Sequence, residues 1–235
     1  MRNKLLIEAL GTFFLCLAVG LTQGPLAPLE VGAVLLALIY AGGFVSGAHY
    51  NPAVTLAFCL RGRHPWSAGL AYVGAQLGAA LLAALVVGLM HGHSEENAQH
   101  IGEALKAPML DGWIAILCAE VLGTFLLAFV ILMVATSRQT VGNGYYGVAI
   151  AAAVVGLASV FGQVGANFNP AVELSAVLSG LCGAGNAEGS AALAFARELS
   201  LVAHSTPKLL LSFLAQCAGG AAAAWAFLGL FPEDR

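Results

Sequence analysis

The chain has 235 residues, 60% of them hydrophobic and only 9% charged, with a formal net charge of −3. A soluble domain carries about 25% charged residues, so most of this surface is not built to face water. With no basic run, nucleic acid is not an expected partner.

In chain order, apolar blocks cover 5–21, 31–44, 68–90, 113–135, 145–161 and 209–231. About 20 apolar residues suffice to cross a bilayer as a helix, so the blocks predict six membrane spans. Two further stretches, 53–60 and 171–181, are too short to cross, and each follows an Asn-Pro preceded by Gly-containing backbone. The first block, after Arg2 and Lys4, also has the outline of a secretory signal. However, it carries Glu8 and outruns an h-region of about 7–15 residues, so it reads as part of the fold. Placing the N-terminus inside puts Arg2, Lys4, Arg61, Arg63, Arg138 and Arg235 on that side, against Lys106, Arg197 and Lys208 outside. That asymmetry predicts cytoplasmic termini. The 91–111 loop, with Glu95, Glu96, Glu103 and Asp111, would then be external. Its His91, His93 and His100 read as a solvated loop and not as a metal site, because no Cys or tight HxxxH pattern supports ligation. The scattered Cys16, Cys59, Cys118, Cys182 and Cys217 read as small buried apolar residues.

The two halves of the chain echo each other. Glu8-Ala-Leu-Gly-Thr-Phe13 returns as Glu120-Val-Leu-Gly-Thr-Phe125. Gly47-Ala-His-Tyr-Asn-Pro-Ala-Val-Thr-Leu56 returns as Gly165-Ala-Asn-Phe-Asn-Pro-Ala-Val-Glu-Leu174, and Gln76 as Gln216. Three spans per half mean that the second half, roughly 108–235, enters the membrane from the side opposite to the first, roughly 1–107. The expectation is therefore one all-α membrane domain over 1–235, built as an inverted repeat with its functional site at the repeat interface.

Asn is a strong N-cap residue and Pro suits the first helical position. Asn51-Pro52-Ala53 and Asn169-Pro170-Ala171 therefore each predict a helix start, with the amide oxygen capping and the NH2 left free to donate. Non-helical backbone at membrane depth survives only when protein buries it or when it lines a wet cavity. Two such helices meeting N-terminus to N-terminus would put both positive dipole ends at one point, a barrier to cations and protons.

Two repeat-related Asn-Pro-Ala motifs resemble the aquaporin (major intrinsic protein) family, and the likeness covers nearly the whole chain. The resemblance implies six tilted helices plus two re-entrant half-helices, one pore per subunit and a homotetramer. It also implies a passive channel for water or other small uncharged solutes. Family members usually carry Arg directly after the second motif, but this chain has Val172. Counting back from the motif asparagines places the other three positions of the outer constriction at Val31, Leu157 and Ala166. All four are apolar, so the expected solutes extend beyond water to glycerol, hydrogen peroxide or neutral metalloid acids. His49 is expected in the inner vestibule.

Glu8 and Glu120 are intramembrane carboxylates. The expected role is to accept hydrogen bonds from the re-entrant loop of their own half; the alternative makes them the coupling site of an inverted-repeat secondary transporter. Glu173 is expected to cap the second half-helix, with pore lining as the alternative. Gly43 with Gly47, and Gly74 with Gly78, are spaced for close helix packing. Between the second motif and its Gln the chain has 47 residues, against 25 in the first half. The surplus, 182–206, reads as an interfacial helix, a lid over the outer mouth or a simple loop insertion. No nucleophile–base pair or nucleotide loop suggests an enzyme, and neither cofactor nor metal is expected. Short loops suit a prokaryotic inner membrane.

Overall fold

The computed structural model describes residues 1–91, 111–184 and 191–234, with side chains over 1–90, 113–179 and 206–234. The stretch holding His93, His100 and most of the loop acids lies outside the described residues. So do 185–190 and the side chains of His91, Asp111, Cys182, Arg197, Glu198 and His204.

Every regular element in the described chain is a helix. Helices α1 (Arg2–Leu21), α2 (Ala27–Ser46), α3 (Pro52–Leu60) and α4 (Trp66–His91) form the first half. Helices α5 (Asp111–Ala135), α6 (Tyr146–Phe161), α7 (Pro170–Ala184) and α8 (Ala191–Leu230) form the second. Among the described residues six helices are long and apolar enough to cross a membrane, the last over Thr206–Leu230, while α3 is far too short at 9 residues. Their outward faces are apolar: Leu6, Leu10 and Phe14 on α1, and Leu81, Leu85 and Leu89 on α4, are exposed at helical spacing. Water would penalise such a surface and lipid would not.

Packing follows the repeat. Helix α1 packs on α4 and α2, and α5 packs on α8 and α6 in the same way. Each short helix also crosses to the other half, α3 onto α8 and α7 onto α4, while α2 packs on α6 across the interface. The halves are thus interlocked. Close crossings depend on absent side chains at a few points. A Cβ on Gly220 would come within 2.6 Å of the Ala53 carbonyl oxygen, and one on Gly219 within 2.5 Å of that of Val121.

Two expectations need correction. Gly74 and Gly78 are exposed, and a Cβ on either would meet nothing within 4 Å. They face outward from α4 and meet no other helix among the described residues. Of the surplus 182–206, residues 182–184 end α7 and 191–206 continue the last span backwards as one helix of 40 residues, about 60 Å long, which excludes the simple loop among the three readings. Pro207 sits inside that helix, where it removes one i→i−4 bond.

Candidate functional site

The site is built where the loops before α3 and α7 meet. Asn51 caps α3: its Oδ1 accepts from the Ala53 N–H at 2.8 Å and the Val54 N–H at 3.3 Å. Asn169 caps α7 likewise, accepting from the Ala171 N–H at 3.0 Å. The free ends of the two amides then exchange. Asn51 Nδ2 donates to the Phe168 carbonyl at 2.9 Å, and Asn169 Nδ2 donates to the Tyr50 carbonyl at 2.9 Å. Each motif asparagine therefore ties its own helix to the residue preceding the other asparagine. Sequence reasoning left both amide protons free; here one is committed to protein and the second remains for other acceptors.

The residues that accept these bonds are in an unusual state. Tyr50 and Phe168 have left-handed backbones, with φ of 47° and 56°, a conformation that costs a non-glycine residue about 1–2 kcal/mol. Three contacts hold each in place. Tyr50 N–H donates to Glu8 Oε2 at 2.8 Å, and Phe168 N–H donates to Glu120 Oε2 at 2.8 Å. Each carbonyl takes the opposite asparagine. Each ring lies flat against a glycine one helical turn from that glutamate: a Cβ on Gly11 would sit 2.1 Å from the Tyr50 ring, and one on Gly123 2.2 Å from the Phe168 ring. The Glu-x-x-Gly spacing puts both groups on one helix face. The sequence displayed this pairing, an aromatic before each Asn and a glycine after each Glu, but nothing in the pattern alone said that they touch.

The carboxylates are occupied. Glu8 Oε1 accepts from Ser46 Oγ at 2.7 Å and His49 N–H at 3.0 Å, and its Oε2 also accepts from Gln76 Nε2 at 2.8 Å. Glu120 Oε1 accepts from the Asn167 N–H at 2.8 Å. The two carboxylates are fully buried and, by these bonds, brace the loop ahead of each motif.

His49 is buried beside Phe58 and Tyr72. Its Nδ1 lies 3.1 Å from Thr55 Oγ1, whose single proton goes to the Asn51 carbonyl at 3.0 Å while Gln76 Nε2 donates to it at 3.1 Å. With that proton directed to the Asn51 carbonyl, the Nδ1-protonated tautomer of His49 satisfies the Thr55 oxygen and leaves Nε2 as an acceptor.

These groups border a cavity of about 1170 Å³. Its wall follows a stripe of α2 from Pro28 through Val31, Leu35 and Ile39 to Gly43, and a stripe of α6 from Tyr146 through Ile150 and Val154 to Ala158. The cavity therefore extends along the full length of two membrane-length helices. Asn51, Asn169 and His49 all lie on the wall. Of the four apolar positions singled out in the sequence, Val31, Ala166 and Val172 line it as well. Leu157 is buried in the same apolar cluster, but Val154 and Ala158 present the α6 surface to the cavity. Glu173 is neither a cap nor on the wall. It is buried in the first turn of α7, bonded through Oε2 to Asn167 Nδ2, with Oε1 3.8 Å from Lys208 Nζ. Among the described residues no group of three His, Cys, Asp or Glu side chains is placed to hold a metal ion.

One further cluster escaped the sequence reading. The Arg61 side chain, fully buried after α3, donates from Nε to Thr136 Oγ1 at 2.9 Å and lies 4.0 Å over the Phe227 ring. Asp234 closes the group, 3.1 Å from Arg61, 2.8 Å from Arg63 and 3.4 Å from Arg138. Burial pushes the Asp234 carboxyl up. The Arg138 backbone N–H, hydrogen bonds from Arg61 and Ser137, and the Arg61 charge outweigh it and hold the group at about 2.

Six spans, two half-helices entering from opposite halves and a cavity along the join define an inverted-repeat membrane protein with its site at the repeat interface. The chain belongs to the major intrinsic protein family, whose pattern it matches over residues 3–181. It is similar to aquaporin NIP1-4 of Oryza sativa subsp. japonica, at 38% identity over 191 residues, covering 76% of this chain and 67% of that one. It also resembles aquaporin NIP1-1 of Zea mays, at 36% identity over 75% of this chain, and spans 64% of that relative's length. The glycerol uptake facilitator protein of Streptococcus pneumoniae is 32% identical over 74% of this chain and 82% of its own. The X-ray structure of the aquaglyceroporin from Plasmodium falciparum shares the fold, with a TM-score of 0.62, 20% identity and coverage of 96% of this chain and 95% of that one.

Proposed function

We infer that the chain is a passive channel that conducts water and small uncharged solutes along the cavity between its two halves. One observation carries this reading: two helix N-termini, each capped by an Asn, are tied to one another at the wall of a cavity that runs the length of two spans. Positive dipole ends converge there, opposing cations and protons. A passing molecule meets the remaining Asn amide protons as donors. The Glu8 and Glu120 oxygens already accept backbone N–H groups, which favours bracing over ion coupling and the channel over the secondary transporter.

The constriction is assigned to Val31, Ala166 and Val172, with Ala158 on the α6 wall in place of the buried Leu157 and His49 in the opposite vestibule. Its apolar lining suits glycerol, hydrogen peroxide and neutral metalloid acids as well as water. The name of the streptococcal relative, a glycerol uptake facilitator, agrees with glycerol. The whole of 1–235 acts as one channel domain with halves at 1–107 and 108–235. It assembles as a homotetramer in a prokaryotic inner membrane with both termini cytoplasmic.

The test is stopped-flow light scattering on proteoliposomes, challenged with sucrose and then with glycerol, with Asn169→Asp as control. Fast shrinkage in sucrose and fast re-swelling in glycerol are expected, both diminished in the control. Val172→Arg should slow re-swelling at least tenfold while shrinkage persists. Vesicles no faster than protein-free ones in either challenge would refute the channel.

A further inference from the structure

The cavity wall carries a cation that the family pattern does not place. Val172 stands where relatives usually have Arg, so the second motif itself brings no positive side chain to the constriction. Lys208, near the start of the last span, does. It is the one residue with a permanent charge among the described residues on the wall. Its ammonium lies 4.0 Å from where a Cβ would sit on Gly165, a glycine with φ of 78° immediately before Ala166.

The geometry points to Lys208 as the specificity-determining cation of this mouth, positioned by Glu173. This rests on the channel reading above. Glu173 directly follows Val172, and its buried carboxylate faces Lys208 from behind the wall, 3.8 Å from the ammonium. Its other oxygen is held by Asn167. An ion in the cavity therefore meets the ammonium first and the carboxylate only through it. The carboxylate is in turn supported by the first turn of α7, where the helix dipole favours negative charge. The charge missing at one position of the sequence is thus supplied in space from a different helix.

The substitution also changes its quality. An Arg fork is planar and binds bidentately, whereas a Lys ammonium is a compact, strongly hydrated charge on a flexible stem. Lys208 repels cations without clamping the aperture. An apolar ring can then stay wide for uncharged solutes and still exclude ions. No cationic side chain at position 172 is needed.

The test compares cation leak and glycerol flux in proteoliposomes of the full chain, using potassium and methylammonium as probes. Lys208→Met should raise the leak roughly tenfold, the effect of one unit charge about 10 Å away through an effective dielectric of about 20. Glycerol re-swelling should stay within about twofold of the parent chain. Lys208→Arg should keep the exclusion. Glu173→Gln takes away the opposing charge and should not raise the leak, and in the Lys208→Met background it should reverse much of the rise, because the carboxylate there stands without its ammonium. Lys208→Cys guards against a change of shape. Modification with an ethylammonium methanethiosulfonate should restore exclusion, and the ethylsulfonate reagent should not. Unchanged leak in Lys208→Met with glycerol flux intact overturns the assignment alone, as does restoration by both reagents. A parent chain that passes neither water nor glycerol overturns the channel reading, and this one with it.

Discussion

Replacing Glu8 by Gln tests whether the intramembrane carboxylates brace the fold. Glu8 receives four donors, two on each oxygen. A glutamine of the same size keeps one oxygen and turns an NH2 toward the other pair. If that pair is Ser46 and His49, the Ser46 hydroxyl can rotate and accept, which leaves the His49 N–H without a partner. If it is Tyr50 and Gln76, the Gln76 amide can flip, which leaves the Tyr50 N–H without one. Either way one buried backbone N–H is orphaned, at about 1–3 kcal/mol, and the surviving bonds lose their charge assistance, at about 1 kcal/mol each. The sum is roughly 3–5 kcal/mol. At about 2–4 °C per kcal/mol for a chain of this size, the unfolding midpoint should fall by about 10 °C. The assay is intrinsic-fluorescence melting of the detergent-solubilised protein, paired with glycerol flux in vesicles. Flux per folded molecule should be preserved. A variant that melts with the parent chain while its flux changes character would refute the bracing argument and revive ion coupling through Glu8.

Other expectations follow from the same geometry. Gly123→Ala drives a methyl group into the Phe168 ring and should cost about 1–3 kcal/mol. Gly74→Ala, on the open face of α4, should leave the melting midpoint unmoved in the same experiment. Asp234→Asn should lower the midpoint at neutral pH by releasing Arg61, Arg63 and Arg138. Because the folded Asp234 carboxyl titrates at about 2 instead of the usual 3.8, its contribution is full above about pH 4 and lost as pH falls through 2. Melting curves of parent and variant should therefore converge across that window, and a gap that persists at pH 2 would contradict the assignment.

The spans and the half-helices were legible because each has a local cause. Apolar length sets a span, and Asn-Pro sets a helix start whatever surrounds it. The repeat was legible for a different reason: Glu8 and Glu120, or Asn51 and Asn169, stand in the same order in both halves. What could not be read was partnership across distance. Arg61 looks like a topology charge until Thr136, Phe227 and Asp234 close around it. Lys208 looks like a loop cation until Glu173 holds it against the cavity. Gly74 and Gly78 show the opposite error, a spacing that matches a packing motif on a helix face that meets no other helix among the described residues. The phase of α6 also lay beyond counting, since Leu157 and Ala158 differ by one residue yet only Ala158 reaches the cavity wall. Counting along a sequence fixes position on a chain but not rotation about an axis.

The exchange of amide bonds between Asn51 and Phe168, and between Asn169 and Tyr50, bears on how such a protein could have arisen. Neither loop is complete without a carbonyl or an amide from a half of opposite orientation. A gene encoding only one half could assemble this centre only as an antiparallel pair, its product inserting both ways up in the same bilayer. Fusion of two copies would remove that requirement, and each half could then settle into a single orientation. Thereafter the halves could diverge everywhere except at the reciprocal knot, because any change there would have to suit both strands of the exchange at once.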